Sequence, residues 1–490
     1  MPSMSRARFL KEYVLKVEKE FELDGETAEW APSSSGGPLE WGQEQSSMDI
    51  VKSDKSAERQ VSSTAMALSP DDKYLAIASN SAIRIYTVDK KEIRAELIGH
   101  QSNVSKVFFV EDISKAETPN DTQYMILSDS KIYSDKGDII AWYLDSDGKS
   151  LTRTMPFAIE ALADKSMSAI SEDLTSHHEL DTDALAEIRK GFVDTLVKSD
   201  MKNRLQSLTH WKGHFPSFGS KPLSADGERW LQVLNNESTQ SGPRRPALLP
   251  TIVVRHFDNI NSATYLHGHE DAIMWASFSP TNSELLATAS WDGTFRIWSA
   301  LDGRENLKIT QGDVQDWSGD FSPDGRHVLF AGTDCVKIYS IDTGDQVLKL
   351  GRDGLKTEAW IRYLSWSPAG DAIALGNGMG VLLWRPFDKK YAKWDRVDEI
   401  LKLGAEEPMH KGFVSFNGIR WLDRKGQLLA AADGENSFFV WDRERNLKWR
   451  FQRPMGKELE LFSDDCVYDE KRKVLITLDG DWKLREWNLE

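Results

Sequence analysis

The chain has 490 residues, 77 of them acidic and 61 basic, so its formal net charge is −16. Hydrophobic residues make up 40% of the sequence, which is too apolar for a disordered chain. The apolar runs are too short for a membrane-spanning helix. The acidic balance argues against nucleic-acid binding, since affinity for phosphates needs clustered Lys and Arg. Because one core stops growing at roughly 250 to 300 residues, we expect several domains or a repeated unit.

The N-terminal stretch from Ser5 to Phe21 places apolar residues four apart, which predicts an amphipathic helix. Its stripe consists of Phe9, Tyr13, Val17 and Phe21. A Ser-, Gly- and Pro-rich linker, APSSSGGPLE, follows it. The helix is too short for a stable coiled coil, so capping of its own chain is favoured over a partner-binding arm.

The same stretch bears on the compartment of the protein. Lys and Glu interrupt its apolar residues, so it lacks the continuous apolar core of a signal peptide. Cys335 and Cys466 are the only cysteines, which excludes a disulfide framework. We therefore predict a cytoplasmic protein, with the nucleus as an additional location.

A phrase of the form apolar-Ser-Pro recurs before apolar runs, as in LSPDDKYLAIAS, FSPTNSELLATAS, FSPDGRHVLFAG and WSPAGDAIALGN. Alternating segments that end in an aromatic residue follow, such as IRIY, FRIW and VKIY, and this pattern predicts short strands. The ends of the first strands are Leu68, Phe109, Leu223, Phe278, Phe321, Trp366, Trp421 and Tyr468. Most are about 40 to 55 residues apart, close to the repeat of a four-stranded propeller blade. The longer gap after Phe109 indicates an insertion.

The best-preserved unit, from Gly268 to Trp298, reads GHEDAIMWASFSPTNSELLATASWDGTFRIW. It resembles the repeats of the WD-repeat β-propeller family, in which Gly-His opens the unit and Trp closes the third strand. Gly-His recurs at residues 99–100 and 213–214, and a Trp-Asp pair stands at 441–442. The resemblance implies an all-β propeller over residues 61–490. Counting units gives eight blades, with seven as the alternative because the second, third and eighth units are weak.

Two segments complete the domain plan. The last unit supplies three strands before the chain stops, so a strand near Met48 to Ser53, within the N-terminal region 1–60, is expected to return as the fourth and protect the exposed sheet edge. Residues 157–208 carry apolar residues at helical spacing, including Leu185, Ile188 and Phe192. This helical insertion is either a docking element or a brace over the propeller.

His269, Ser290 and Asp292 offer the residue types of a nucleophilic triad. The family resemblance implies a structural hydrogen-bond network instead, formed by His269, Asp292, Trp298 and either Thr288 or Ser290. Such a network satisfies polar groups buried between strands. Only this unit holds the full set, so the other blades are expected to rely on apolar packing.

The resemblance also implies that partners meet the face that carries the loops before the first strands and between the second and third strands. The candidate partner-binding residues there are Trp275, Trp291, Trp317, Trp360 and Arg362. Trp and Arg are the residues most enriched in interface hot spots. The alternative is that Trp275 and Trp317 fill space between blades, so Trp291, beside an Asp-Gly turn, is the strongest candidate.

No phosphate-binding loop, metal-ligand set or catalytic residue is identified, and no cofactor is expected. We predict a non-catalytic scaffold or adaptor that binds protein or peptide partners, with no nucleic acid or membrane, and is monomeric by itself. One alternative is a propeller-based enzyme, which would place several His, Asp or Glu residues at one position of successive blades. The other is a ubiquitin-ligase substrate receptor, for which the family has Trp-Asp-x-Arg, whereas residues 441–444 read Trp-Asp-Arg-Glu.

Overall fold

The computed structural model describes the following parts of the chain, with short gaps inside several ranges: 22–30, 43–50, 65–151, 210–236, 249–350, 361–387, 418–452, 466–478 and 483–489. The predicted N-terminal helix at 5–21 and the predicted helical insertion at 157–208 lie outside the described residues. What the structure describes consists of strands and turns. The first strands are β1 (Glu22–Leu23), β2 (Glu26–Thr27), β3 (Glu29–Trp30) and β4 (Gln43–Asp49).

One compact unit comprises residues 67–113 and 118–213 and holds two antiparallel four-stranded sheets, blades 1 and 2. Blade 1 consists of β5 (Ala65–Leu68), β6 (Tyr74–Ser79), β7 (Ala82–Thr87) and β8 (Ile93–Ile98). Blade 2 consists of β9 (Val104–Phe109), β10 (Tyr124–Ser130), β11 (Asp138–Leu144) and β12 (His210–Lys212). The predicted insertion therefore falls between the third and fourth strands of blade 2.

The other unit comprises residues 1–66, 114–117 and 214–490 and holds blades 3 to 8. Blade 3 has β13 (Arg229–Asn236), β14 (Leu249–His256) and β15 (Ala263–Leu266), and Leu223 forms a bridge to Trp230 at the first-strand position. Blade 4 has β16 (Ile273–Phe278), β17 (Leu285–Ser290), β18 (Thr294–Ser299) and β19 (Glu305–Thr310). Blade 5 has β20 (Asp316–Phe321), β21 (His327–Gly332), β22 (Val336–Ser340) and β23 (Gln346–Leu350).

Blade 6 has β24 (Tyr363–Trp366), β25 (Ile373–Asn377) and β26 (Gly380–Trp384). Blade 7 has β27 (Gly418–Trp421), β28 (Leu428–Ala432), β29 (Ser437–Asp442) and β30 (Leu447–Gln452). Blade 8 has β31 (Cys466–Asp469), β32 (Val474–Leu478) and β33 (Lys483–Asn488). The predicted all-β propeller class with eight blades is confirmed, and the seven-blade alternative is wrong because the weak second, third and eighth units each form a sheet.

The recurring Ser-Pro phrase marks the turn between the first and second strands. In blade 5 the Ser322 hydroxyl donates to the Asp324 carboxylate at 2.5 Å and accepts the backbone N–H of His327 at 2.9 Å. Asp324 in turn accepts the backbone N–H of Arg326 at 3.0 Å, and Gly325 takes a left-handed φ of 69°. Two side chains therefore satisfy backbone donors that the tight turn leaves unpaired. The equivalent pairs are Ser69 with Asp71 and Ser224 with Asp226.

Blades pack face to face through large apolar side chains, as blades 4 and 5 show. Phe295 of blade 4 stacks on Phe330 of blade 5 with ring centroids 4.1 Å apart. Trp275 meets the same Phe330 edge to face at 5.9 Å. Full burial of such a side chain contributes about 1.5 to 3 kcal/mol, so each blade depends on its neighbour for its core.

Two N-terminal strands add to the outer edges of the last blades. β4 pairs antiparallel with β33 and is the fourth strand of blade 8, a few residues earlier than the expected Met48 to Ser53. The Ser46 hydroxyl of β4 donates to the Glu486 carboxylate of β33 at 2.7 Å. β3 lies parallel to β30 and makes blade 7 five-stranded.

We expect that removal of residues 1–50 lowers the melting temperature by several degrees more than removal of residues 1–42. The shorter deletion keeps β4, whereas the longer one strips the outer edge of β33 of its partner, and each lost hydrogen bond costs about 1 kcal/mol. Differential scanning calorimetry of the two truncated chains measures the difference. Equal melting temperatures would contradict a stabilising role for β4.

Candidate functional site

The His, Asp, Thr and Trp side chains of blade 4 form one closed network. His269 precedes β16, and its Nδ1 lies 2.8 Å from Asp292 Oδ2 while its Nε2 lies 2.7 Å from Thr288 Oγ1. The indole N–H of Trp298 donates to the same Thr288 oxygen at 2.9 Å. Thr288 is thus the hydroxyl of the network. Ser290 belongs to the adjacent turn, where its hydroxyl donates to the Asp271 carbonyl at 2.9 Å.

Further hydrogen-bond donors contact Asp292 and stabilise the turn between β17 and β18. The carboxylate accepts the backbone N–H of Glu270 at 3.0 Å, and the backbone N–H and hydroxyl of Thr294 at 2.9 and 2.6 Å. The side chains of His269 and Asp292 are 1% and 7% exposed. Every polar atom of the set therefore has a partner inside the blade, and none is presented to a substrate.

Close packing explains why the residue before His269 is a glycine. Gly268 has a φ of 149°, and a Cβ there would lie 2.3 Å from Nη1 of the buried Arg296. Arg296 donates to Glu305 at 2.9 Å and its guanidinium carbon lies 5.7 Å from the centre of the Trp298 ring. The Gly-His pair of the repeat thus makes room for a cation beneath the network.

Burial and hydrogen bonding determine the protonation states of His269 and Asp292. Burial lowers the pKa of His269 and outweighs the neighbouring carboxylate, so the imidazole is neutral and donates Nδ1–H to Asp292. Burial by itself raises the pKa of Asp292, but the hydrogen bonds from His269, Thr294 and the Glu270 backbone hold it well below the usual range. The carboxylate is therefore charged and the imidazole uncharged near neutral pH.

Blade 2 contains a second complete network, so the expectation that only blade 4 holds the full set is wrong. His100 Nδ1 lies 2.9 Å from Asp138 and His100 Nε2 lies 2.7 Å from the Ser128 hydroxyl. The Trp142 indole N–H donates to Ser128 at 2.8 Å. Burial raises the pKa of Asp138, but the hydrogen bonds from His100 and Ser130 bring it below its usual value.

The sequence conceals this second set because the loop between β10 and β11 is longer than its counterpart in blade 4. Ser128 and Trp142 are 14 residues apart, whereas Thr288 and Trp298 are 10 apart. The Gly-His pair at residues 99–100 was the signal that could have revealed it. Blade 8 keeps half of the arrangement, since Trp487 donates to Thr477 at 2.8 Å with the same 10-residue spacing.

The candidate partner-binding residues lie in different structural environments. Trp275 is 0% exposed and packs between blades 4 and 5, so it cannot contact a partner and the alternative core role is correct for it. Trp291 is half-buried in the turn between β17 and β18, and its backbone N–H donates to the Ala272 carbonyl at 3.0 Å. Trp317 lies in β20. Trp360 and Arg362 lie outside the described residues.

A propeller-based enzyme is expected to place several His, Asp or Glu residues at one position of successive blades. In the first strands of blades 4 to 8, the residues that precede the aromatic residues Phe278, Phe321, Trp366, Trp421 and Tyr468 are Ser277, Asp320, Ser365, Arg420 and Val467. Asp320 accepts the backbone N–H of Trp366 at 2.9 Å and pairs with Lys221 at 2.8 Å. Its carboxylate links neighbouring blades and has no second acid at the same position beside it.

The arginine of the Trp441–Asp442–Arg443 sequence also serves the fold. Arg443 pairs with Asp371 of blade 6 at 2.7 Å, and its guanidinium carbon lies 5.4 Å from the centre of the Trp421 ring. The Arg443 side chain is only 10% exposed. It joins blades 6 and 7, which leaves little of it for a ligase adaptor to contact.

The described part of the chain contains no group of three or more His, Cys, Asp or Glu residues that could hold a metal ion. It also contains no helix with the length and apolarity needed to cross a membrane.

Comparison with known proteins agrees with this geometry. A family model described as "WD domain, G-beta repeat" matches residues 260–299. THO complex subunit 3 of Arabidopsis thaliana is 24% identical over 36% of this chain and 50% of that protein. WD repeat-containing protein AAC3 of Dictyostelium discoideum is 22% identical over 57% of this chain and 55% of that protein. The chain thus spans about half the length of these two relatives.

Two further similarities extend the comparison. Target of rapamycin complex subunit wat1 of Schizosaccharomyces pombe is 22% identical over 44% of this chain and 78% of that protein. Among solved structures, the computationally designed Ika8 protein has a TM-score of 0.51, covering 87% of this chain and 97% of its own. Its sequence identity of 12% means that this likeness shows the fold alone.

Eight blade-like sheets, predominantly antiparallel, define the chain as a β-propeller. The network of blade 4 lies within the segment that the family model matches. The chain therefore contains a WD repeat, at residues 260–299, within an eight-bladed β-propeller.

Replacement of Asp292 by Ala should destabilise the protein by about 3 kcal/mol, since it leaves buried donors of His269 and Thr294 without an acceptor. Chemical denaturation followed by tryptophan fluorescence measures the loss. Asp302→Ala, at an exposed turn of the same blade, is the matched control and should change stability by less than about 0.5 kcal/mol. An Asp292→Ala chain as stable as the control would refute the structural role.

Stability should also fall as the pH is lowered from 7 to 5. Because burial lowers the pKa of His269, the unfolded state binds more protons below about pH 6.5, and one such group contributes up to about 1.4 kcal/mol per pH unit. The depressed pKa of Asp292 adds a further loss below about pH 4. Urea unfolding at each pH should show a flatter dependence between pH 5 and 7 for His269→Gln than for His267→Gln, whose imidazole is exposed. Equal slopes in the two variants would contradict this assignment.

Proposed function

We propose that the protein is a non-catalytic scaffold that binds protein or peptide partners on the exposed turns of its propeller. One observation carries the proposal: the groups best suited to acid–base chemistry, His269 with Asp292 and His100 with Asp138, are enclosed in structural networks. A rigid, satisfied interior leaves the turns as the part of the molecule on which recognition depends.

The relatives support this role. Two of them are described by name as subunits of complexes, the THO complex and the target of rapamycin complex. We infer from these names only that this chain is also a member of an assembly of several proteins. Its net charge of −16 favours protein partners over nucleic acid, in the cytoplasm or the nucleus.

Trp291 is the residue that we place at the centre of the binding surface. It is half-buried, and its backbone is fixed by hydrogen bonds on both sides, from Trp291 to Ala272 and from Asp292 to Ser290. An aromatic side chain on a rigid turn loses little conformational entropy on binding. Tryptophan is among the residues most enriched in interface hot spots.

The test compares the proteins that co-purify with the tagged full-length chain and with Trp291→Ala. We expect Trp291→Ala to reduce recovery of at least one stoichiometric partner about tenfold or more, which corresponds to the loss of a hot spot worth about 2 kcal/mol. Quantitative mass spectrometry provides the measurement. A second variant with residues 157–208 replaced by a short Gly-Ser linker tests the insertion as a separate docking element.

Tyr265→Ala is the matched control, since Tyr265 is an exposed aromatic residue on the outer strand of blade 3. It should leave the partner recovered in the Trp291 comparison unchanged. If the folded chain recovers no protein in stoichiometric amount, or if turnover of a small molecule is found, the scaffold proposal fails.

A further inference from the structure

Large apolar side chains are exposed at one end of four consecutive blades. Leu301 and Phe387 follow the third strands of blades 4 and 6 and are 52% and 46% exposed. Val347 of blade 5 lies near the start of the fourth strand and is 41% exposed. Tyr265 of blade 3 is 49% exposed, and its carbonyl adjoins Gly303 in the turn that follows Leu301. We call this end of the blades, where the third strand turns into the fourth, the 3–4 end.

The turn between the third and fourth strands does not require an apolar residue at the positions of Leu301 and Phe387. The third residue after the closing aromatic of the third strand is acidic in other blades: Asp89, Asp145, Asp342 and Glu444. Leu301 and Phe387 occupy that position in blades 4 and 6. Phe387 is also held in place, with its ring 5.0 Å from His327 of blade 5 and stacked 6.2 Å from Trp366. An ordered, half-exposed aromatic ring is a preformed contact for a second apolar surface.

The charged residues around these side chains are mostly acidic. The exposed carboxylates in the turns at the 3–4 end of blades 4 to 6 belong to Glu284, Asp302, Asp324, Asp342, Asp345 and Asp371. Among the described residues of the same turns, the exposed cations are Arg304 and Arg326. The occupant that fits this surface is therefore a segment that is both apolar and basic.

The chain contains such a segment. Residues 5–21 carry the apolar stripe of Phe9, Tyr13, Val17 and Phe21. Their basic residues are Arg6, Arg8, Lys11, Lys16 and Lys19, and their acidic residues are Glu12, Glu18 and Glu20. The segment is thus positive in a chain whose net charge is −16.

The path of the N-terminal strands brings the segment to the correct end. β3 runs parallel to β30 with Glu29 opposite Leu447, the first residue after the turn between the third and fourth strands of blade 7. The chain therefore reaches Glu29 from the 3–4 end. Arg443 in that turn pairs with Asp371 at the same end of blade 6, 2.7 Å away, so this end of blade 7 adjoins the blade that carries Phe387.

The position of Glu22 and the length of a helix over residues 5–21 indicate where the segment lies. Glu22 pairs with Thr27, which puts it about 5 Å from that residue and within roughly 12 Å of Glu29. A helix over residues 5–21 would be about 25 Å long. The segment therefore starts close to the 3–4 end of blade 7, beside blade 6, which carries Phe387.

We propose that residues 5–21 dock as an amphipathic helix on the 3–4 end of blades 6 and 5, with their apolar stripe on Phe387 and Val347. The docked segment covers this face within the same molecule. A partner that uses the 3–4 end must first displace the segment, whereas the turn of Trp291 lies at the opposite end of blade 4.

The experiment places a photo-crosslinking benzoylphenylalanine at residue 387 of the full-length chain. We expect irradiation to join this residue to a peptide from residues 1–21, in a product that migrates as a monomer and whose yield is independent of protein concentration. Val347 provides a second position on the same face. Leu249 is the matched control, because it is 45% exposed but lies at the opposite end of its blade, and it should give no cross-link to residues 1–21.

A charge-reversal variant, Arg6→Glu with Arg8→Glu and Lys11→Glu, should lower the cross-linking yield at residue 387 at least threefold. Three outcomes would overturn the proposal: cross-links only between two copies of the chain, cross-links only to a different protein, or the same yield from Leu249 as from residue 387. None of them bears on Trp291, so the scaffold proposal is tested separately.

Discussion

A four-stranded sheet shields neither of its own faces, and this constraint organises the protein. Each blade has to bury a face against the next, and large aromatic residues such as Phe295, Phe330 and Trp275 fill the space between blades 4 and 5. Because stability is shared between neighbours, a blade with a degenerate sequence persists when the blades beside it are well formed. Blade 3 shows this, since its first-strand position is represented by two isolated bridges, Leu223 to Trp230 and His214 to Val233.

The polar networks of blades 2 and 4 add specific hydrogen bonds to this apolar packing. An imidazole buried between strands is costly unless both nitrogen atoms have partners, and in blades 2 and 4 a carboxylate and a hydroxyl supply them. The arrangement fixes the turn between the second and third strands, which presents Trp291 in blade 4. Residues that resemble a catalytic set thus act by holding this turn in one conformation.

The outer edges of the blades pose a different problem, because an unpaired strand invites association with other chains. The N-terminal region pairs with two of these edges, through β3 on blade 7 and β4 on blade 8. Strands distant in sequence therefore complete the last two sheets. The start of the chain is consequently bound to the same blades that its end forms, and the proposed docking of residues 5–21 would continue that arrangement.

The sequence alone determined the repeat, the position of the first strands and the chemistry of the Ser-Asp turns, because these depend on local spacing and on hydrogen bonds between residues a few positions apart. It also identified His269, Asp292 and Trp298, which the family pattern places at fixed distances. The tertiary structure decided what local spacing cannot: Thr288 rather than Ser290 accepts from Trp298, Trp275 is core, and His100, Ser128, Asp138 and Trp142 meet across a longer loop. Burial and the meeting of distant residues depend on how blades face one another, and no single repeat contains that information.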